Sequence, residues 1–286
     1  MKNLIQKSVF LWALLIFGIN HAQNKSDVPY GSNEAVGKTV EINGVDMYYE
    51  EYGQGEPLLL VHGNGGSIKN LDNQIEYFKK KYRVIIADNR GHGKSGLKTD
   101  SLTYRQIAND LEVLVKQITK DSLHIVGTSD GAILGLLMGI NNEVKIKRIV
   151  AWAGNLRPDT TAVHAWAPNY VKKRWIAAKK IVDGGNTTDF WNGRYQRSGL
   201  LLFQPNIGHE ELKNITSPVL IMAGDRDVIK NVHSVEMYDH IPRAQLCIMP
   251  GATHSAPYLQ PKRFNEIVDR FLAEPFSMPD SNWTKK

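Results

Sequence analysis

Ser129 stands in the pentapeptide Gly127-Thr128-Ser129-Asp130-Gly131, after the apolar run LHIV and before the apolar run AILGLLMGI. A hydroxyl is a weak nucleophile unless a base takes its proton and a third group orients that base. The chain offers both further on. The apolar run VLIMAG leads into Asp225-Arg226-Asp227, and the next one, LCIMPGATH, leads to His254. Serine, acid and histidine in that order, each just after an apolar run, is an arrangement suited to acyl chemistry. Either aspartate satisfies the order.

These residues meet only if the runs before them are strands of one sheet. The segment KTVEINGVDMYYEEYG has two β-prone halves around Asn43-Gly44, a strong hairpin signal. EPLLLVHG, YRVIIADN, SLHIVGTS, IKRIVAWAG, SPVLIMAGD and AQLCIMPG follow as apolar runs of the kind that strands covered on both faces require. Between them, TYRQIANDLEVLVKQIT places Ile107, Leu111, Leu114 and Ile118 on one helical face behind a Thr103 cap. The run after Ser129 reads as a helix, and so does PKRFNEIVDRFLAEP, bounded by Pro261 and Pro275. This alternation predicts an α/β fold, a mostly parallel open sheet with helices on both faces. Ser129 then lies at the carboxyl edge of the sheet, in a strand-to-helix turn for which Gly127 and Gly131 leave room. The rhythm breaks over residues 155–216. There NYVKKRWIAAKKIV carries a stripe of Val171, Trp175, Ala178 and Val182, and a helical lid inserted after the sixth strand is expected. Residues 38–154 and 217–275 form the core, 23–37 a linker and 276–286 a C-terminal tail.

The 286 residues, 42% hydrophobic and 22% charged, have ordinary globular composition, which excludes disorder. The net charge of +6 is scattered along the chain, so no nucleic-acid partner is expected. A single cysteine, Cys247, forbids an intrachain disulfide. His164, His209, His233 and His240 lack metal-ligand spacing, and HGNGG lacks the Lys-Ser/Thr ending of a phosphate loop, so no metal or cofactor is expected. Residues 1–22 hold Lys2, Lys7 and the apolar run SVFLWALLIFGI before a polar stretch. That is the layout of a signal peptide and implies export to the periplasm or the medium, with an uncleaved membrane anchor as the alternative.

Taken together, the serine elbow, the later aspartate and the histidine resemble the α/β-hydrolase fold superfamily from about Val40 to Leu272. The resemblance implies a catalytic set of Ser129, Asp227 (last in a Gly-Asp-x-Asp turn, with Asp225 as fallback) and His254. It implies an oxyanion hole made by the N–H groups of Asp130 and of Asn64 in VHGNGGS, with Gly65 as the alternative to Asn64. It assigns Arg90 and His92, in DNRGHGKS, a structural role. Related dehalogenases and epoxide hydrolases use a carboxylate at the elbow, so a serine there implies a serine hydrolase acting on esters or related acyl compounds. Acyl transfer or perhydrolysis by the same residues, or binding of a small molecule without turnover, are the alternatives. TSDGA and RIVAWAGN resemble the biphenyl-hydrolase-related esterases, including the valacyclovir-hydrolase type. Asp130 is then either a ligand for a cationic substrate group or a helix N-terminal charge. The basic segment RPDTTAVHAWAPNYVKKRW instead suits an acidic substrate. Trp152 and Trp166 are candidates to line an acyl pocket.

Overall fold

The computed structural model describes residues 28–282 and 284; the apolar N-terminal segment, residues 1–22, lies outside them. Eight strands form one sheet: β1 (Lys38–Ile42), β2 (Val45–Tyr52), β3 (Glu56–Val61), β4 (Tyr82–Ala87), β5 (Leu123–Thr128), β6 (Ile146–Trp152), β7 (Val219–Gly224) and β8 (Ala244–Met249). Their spatial order is β1-β2-β4-β3-β5-β6-β7-β8. Asn43 (φ 48°) and Gly44 (φ 75°) make the tight turn that pairs β1 antiparallel with β2. Left-handed backbone at both positions is what such a turn needs. β2 is antiparallel to β4, and the later neighbours are parallel.

Successive residues of each central strand face opposite sides, and helices cover both. On one side Leu59, Val61, Ile125 and Ile149 pack with α2 (Tyr104–Ile118), α3 (Asp130–Asn141) and Met237 of α7 (Asn231–His240). On the other, Leu58, Leu60, Val126 and Val150 pack with α1 (Asp72–Phe78) and α9 (Pro261–Ala273). This double cover is why β3 and β7 read as nearly continuous apolar runs, and why β5 is buried throughout. β8 differs: Gln245 to Ile248 are only half-buried, because β8 is the last strand of the sheet and, among the described residues, no strand pairs with its outer side.

Residues 155–216 hold three helices, α4 (Trp166–Asp183), α5 (Asp189–Phe203) and the single turn α6 (His209–Leu212), joined by loops. Trp175 joins α4 to α5 through Tyr195 and Phe203, at 5.6 and 5.4 Å between ring centres. One sequence expectation needs correction. Residues 28–37, read as part of a linker, are tied to the core. Tyr30 is buried, and the buried Glu50 carboxylate accepts from the N–H groups of Gly31 (2.9 Å) and Asn33 (3.0 Å).

Candidate active site

β5 passes into α3 through one residue, Ser129, whose backbone is at φ 56° and ψ −119°. For a residue with a side chain this conformation costs about 1–3 kcal/mol and survives only where its surroundings enforce it. Two glycines help to enforce it. A side chain at Gly127 would collide with the Gly131 carbonyl, and one at Gly131 with the Val61 carbonyl. The Ser129 N–H is in turn held by the Trp152 carbonyl at 2.8 Å.

The loops after β7 and β8 carry the two other groups to the same edge. His254 Nε2 lies 3.0 Å from Ser129 Oγ, and His254 Nδ1 lies 2.8 Å from Asp227 Oδ1. With Nδ1–H donating to the carboxylate, Nε2 is free to accept from the serine. The Asp227 carboxylate is buried, and its Oδ1 also accepts from the Ile229 N–H at 3.1 Å. Trp152 Nε1 donates to the His254 carbonyl at 3.1 Å, which fixes the ring's backbone. Asp225 stays away from the ring. It accepts from the Ala252 N–H at 3.2 Å and so braces the loop between β8 and His254.

The loop after β3 faces Ser129 from the other side. It turns through a Gly66 N–H to Gly63 carbonyl bond of 3.1 Å. Below it, His62 Nδ1 donates to the Gly63 carbonyl (2.8 Å) and Nε2 accepts from the Asn89 N–H (3.1 Å). Burial pushes His62 down to about 4, so it is a neutral prop. Asn64 Nδ2 donates both to Asp130 Oδ2 (2.9 Å) and to the Arg197 carbonyl (3.0 Å), which ties the loop to α3 and to α5. Among the described residues the main-chain N–H groups of Asn64 and Asp130 have no hydrogen-bond partner. The Asp130 N–H is one of the unfilled donors of the α3 N-terminus.

A cavity of about 320 Å³ opens at this point, lined by residues 63–66, Ser129, Trp152, His254 and Tyr258. Of the candidates for an acyl pocket, Trp152 is in its wall, at the end of β6. Trp166 is not: it starts α4 and is 62% exposed. Asp130 is not in the wall either, because its carboxylate is buried on Asn64. Burial raises the Asp130 carboxyl to about 6, against the opposing pull of Asn64, Tyr104 and the charge of His254. Tyr258, which the sequence did not single out, follows His254 by four residues on the one-turn helix α8 (Ala256–Leu259), too short to leave a periodic signal. Arg90 pairs with Asp110 (2.6 Å) inside the fold, in the structural role expected of it. Among the described residues no three His, Cys, Asp or Glu side chains are grouped to hold a metal ion, and no helix is long and apolar enough to cross a membrane.

Residues 58–267 match the alpha/beta hydrolase family. The mouse serine hydrolase BPHL is 26% identical over 249 residues, covering 82% of this chain and 85% of that protein. 3-Oxoadipate enol-lactonase 2 of Acinetobacter baylyi is 25% identical over 262 residues (82% and 96%), and a putative carbamate hydrolase, RutD, of Azorhizobium caulinodans is 24% identical over 253 residues (80% and 96%). Among solved structures, the α/β hydrolase MGS-M2 from a deep-sea metagenome library shares the fold with a TM-score of 0.73 at 19% identity, over 85% of this chain and all of that one. The chain belongs to the alpha/beta hydrolase family. It is an enzyme of the hydrolase class, and the resemblance to the biphenyl-hydrolase-related enzymes has its counterpart in BPHL.

Proposed function

We propose that the protein cleaves a small-molecule carboxylic ester or related acyl compound through a covalent acyl-enzyme on Ser129. The observation that carries this reading is the unbroken chain from Ser129 Oγ through His254 to the buried Asp227, opening on a cavity. Ser129 Oγ attacks the acyl carbonyl while His254 Nε2 takes its proton. The N–H groups of Asn64 and Asp130 receive the negative oxygen of the tetrahedral intermediate. His254 passes the proton to the leaving group, and water, deprotonated by the same nitrogen, releases the acid. The names of the relatives, an enol-lactonase and a putative carbamate hydrolase, suit an activated carbonyl as the common target. The insertion at residues 155–216 is the lid over this site, and residues 1–22 direct export.

The test is a panel of short acyl esters, a lactone and a carbamate offered to the purified protein and to Ser129→Ala. Turnover by the parent and a loss of roughly a millionfold in kcat in the folded variant are expected. Comparable turnover by both would overturn the reading.

A further inference from the structure

We propose that a second cavity, beside the first, is an anion subsite built around Arg197, and that it selects acyl substrates carrying a carboxylate or a similar negative group away from the scissile bond. The inference rests on the proposed serine hydrolase and deepens it. The second cavity has a volume of about 360 Å³ and shares Gly65 and Gly66 with the first. Neither residue has a side chain to close the rim, so one molecule can place its carbonyl at Ser129 and its far end beyond the rim.

Arg197 lies in α5 and is half-buried. One guanidinium nitrogen donates to the Gly91 carbonyl, and among the described residues no carboxylate pairs with it. Arg90, Arg157 and Arg83 do meet one, in Asp110, Glu236 and Glu51, whereas among the described residues the half-buried Arg148 and Arg194 do not. Burial, and then the nearby cations Arg194 and Arg174, lower the pKa of Arg197. Lys94 adds another positive charge to the wall, with its Nζ 4.4 Å from the centre of the Tyr48 ring. Asp189 is the one carboxylate in the wall, and it makes no ion pair with Arg197. His92, also in the wall, is neutral, its pKa lowered mainly by burial.

The guanidinium is also held in place. A Cβ at Gly193, one turn earlier in α5, would lie 2.7 Å from Arg197 Nη1, so the guanidinium packs against the bare backbone of Gly193. The Arg197 main-chain carbonyl takes a bond from Asn64 Nδ2, which fixes the subsite relative to the loop over Ser129. A partly desolvated, fixed guanidinium with donors to spare calls for an oxyanion, and a carboxylate matches its fork. This also decides between the two substrate charges that the sequence allowed. The carboxylate that would have received a cation, Asp130, is covered, and in the wall of the second cavity the two cations Arg197 and Lys94 outnumber the one carboxylate, Asp189.

The experiment compares hydrolysis of monomethyl glutarate and monomethyl adipate with that of methyl pentanoate and methyl hexanoate, in the parent, Arg197→Met and Arg197→Lys. The readout is the ratio of kcat/KM for the half-ester to that for its neutral counterpart, so a general loss in a variant cancels. The parent is expected to favour the half-ester by about ten- to a hundredfold, the scale of one charge-assisted hydrogen-bonded pair, and less so in high salt. Arg197→Met brings the ratio close to one through KM, and Arg197→Lys recovers part of it. An unchanged ratio in folded Arg197→Met overturns the subsite. If no ester of either kind is cleaved, the hydrolase reading fails separately, and calorimetric titration with glutarate decides the subsite. Binding to the parent that is lost in Arg197→Met upholds it, and no binding to the parent overturns it.

Discussion

Two aspartates two residues apart, Asp225 and Asp227, could each serve His254 by order alone; the family resemblance favours Asp227, and the geometry gives the physical reason. Asp227 Oδ1 is 2.8 Å from His254 Nδ1, whereas Asp225 spends an oxygen on the Ala252 N–H. Both follow β7 directly, and a sequence does not say which carboxylate folds back on its own loop. The two make opposite predictions. Asp227→Asn keeps the shape but favours the wrong imidazole tautomer, and kcat is expected to fall by about 10⁴-fold with little change in the urea midpoint. Asp225→Ala removes a loop bond worth about 1 kcal/mol and keeps kcat within about tenfold of the parent. Measuring kcat and urea unfolding on both variants checks the pair, and a reversed order would reassign the acid. Arg197 was not legible at this scale. Its meaning lies in the absence of a partner, and a pattern of residues does not display absences.

At the scale of elements, legibility followed amphipathicity. The hairpin at Asn43-Gly44, the buried strands, α2 and α9 all carry periodic or unbroken apolar signals. α7 does not: of its buried residues, His233, Ser234 and Met237, only one is apolar, so its inner face is hidden in the sequence. α4 was legible for a different reason. Its stripe, with Ala178 buried and Trp175 half-buried, fits α5 rather than the sheet. The two helices therefore stabilise each other more than they stabilise the core. Trp175→Ala is expected to cost about 2 kcal/mol, less than for a fully buried tryptophan, and to be felt within residues 155–216. Limited proteolysis should cut that segment faster while the thermal midpoint of the molecule moves little. A large drop in the midpoint with no new cleavage would mean that the insertion unfolds only with the sheet.

For the whole molecule, the sheet's parallel character could be read from its runs, but its order could not. The crossing that seats β3 between β4 and β5 brings the HGNGG loop against the serine turn, and it depends on packing between residues far apart in the chain. That meeting has a consequence for stability, because it buries the Asp130 carboxyl under Asn64. The group's pKa rises from an ordinary 3.8 to about 6 in the folded chain. Between those values the folded chain holds more protons than the unfolded one, so this group's contribution to stability declines as pH rises from about 4 to about 6 and then levels off. A shift of this size amounts to something on the order of 3 kcal/mol. The N-terminus of α3 and the Asn64 amide offset only part of the cost of holding a charge there at neutral pH. Asp130→Asn removes the titration and keeps an oxygen acceptor for Asn64 Nδ2. Urea unfolding of both proteins from pH 4.5 to pH 7 isolates the effect, since the other titrating groups are common to the two. The variant should be the more stable at pH 7, and its advantage should shrink as pH falls. A difference that stays constant across the range would mean that Asp130 remains ionised throughout, and that the loop above it is more open to water than its burial implies.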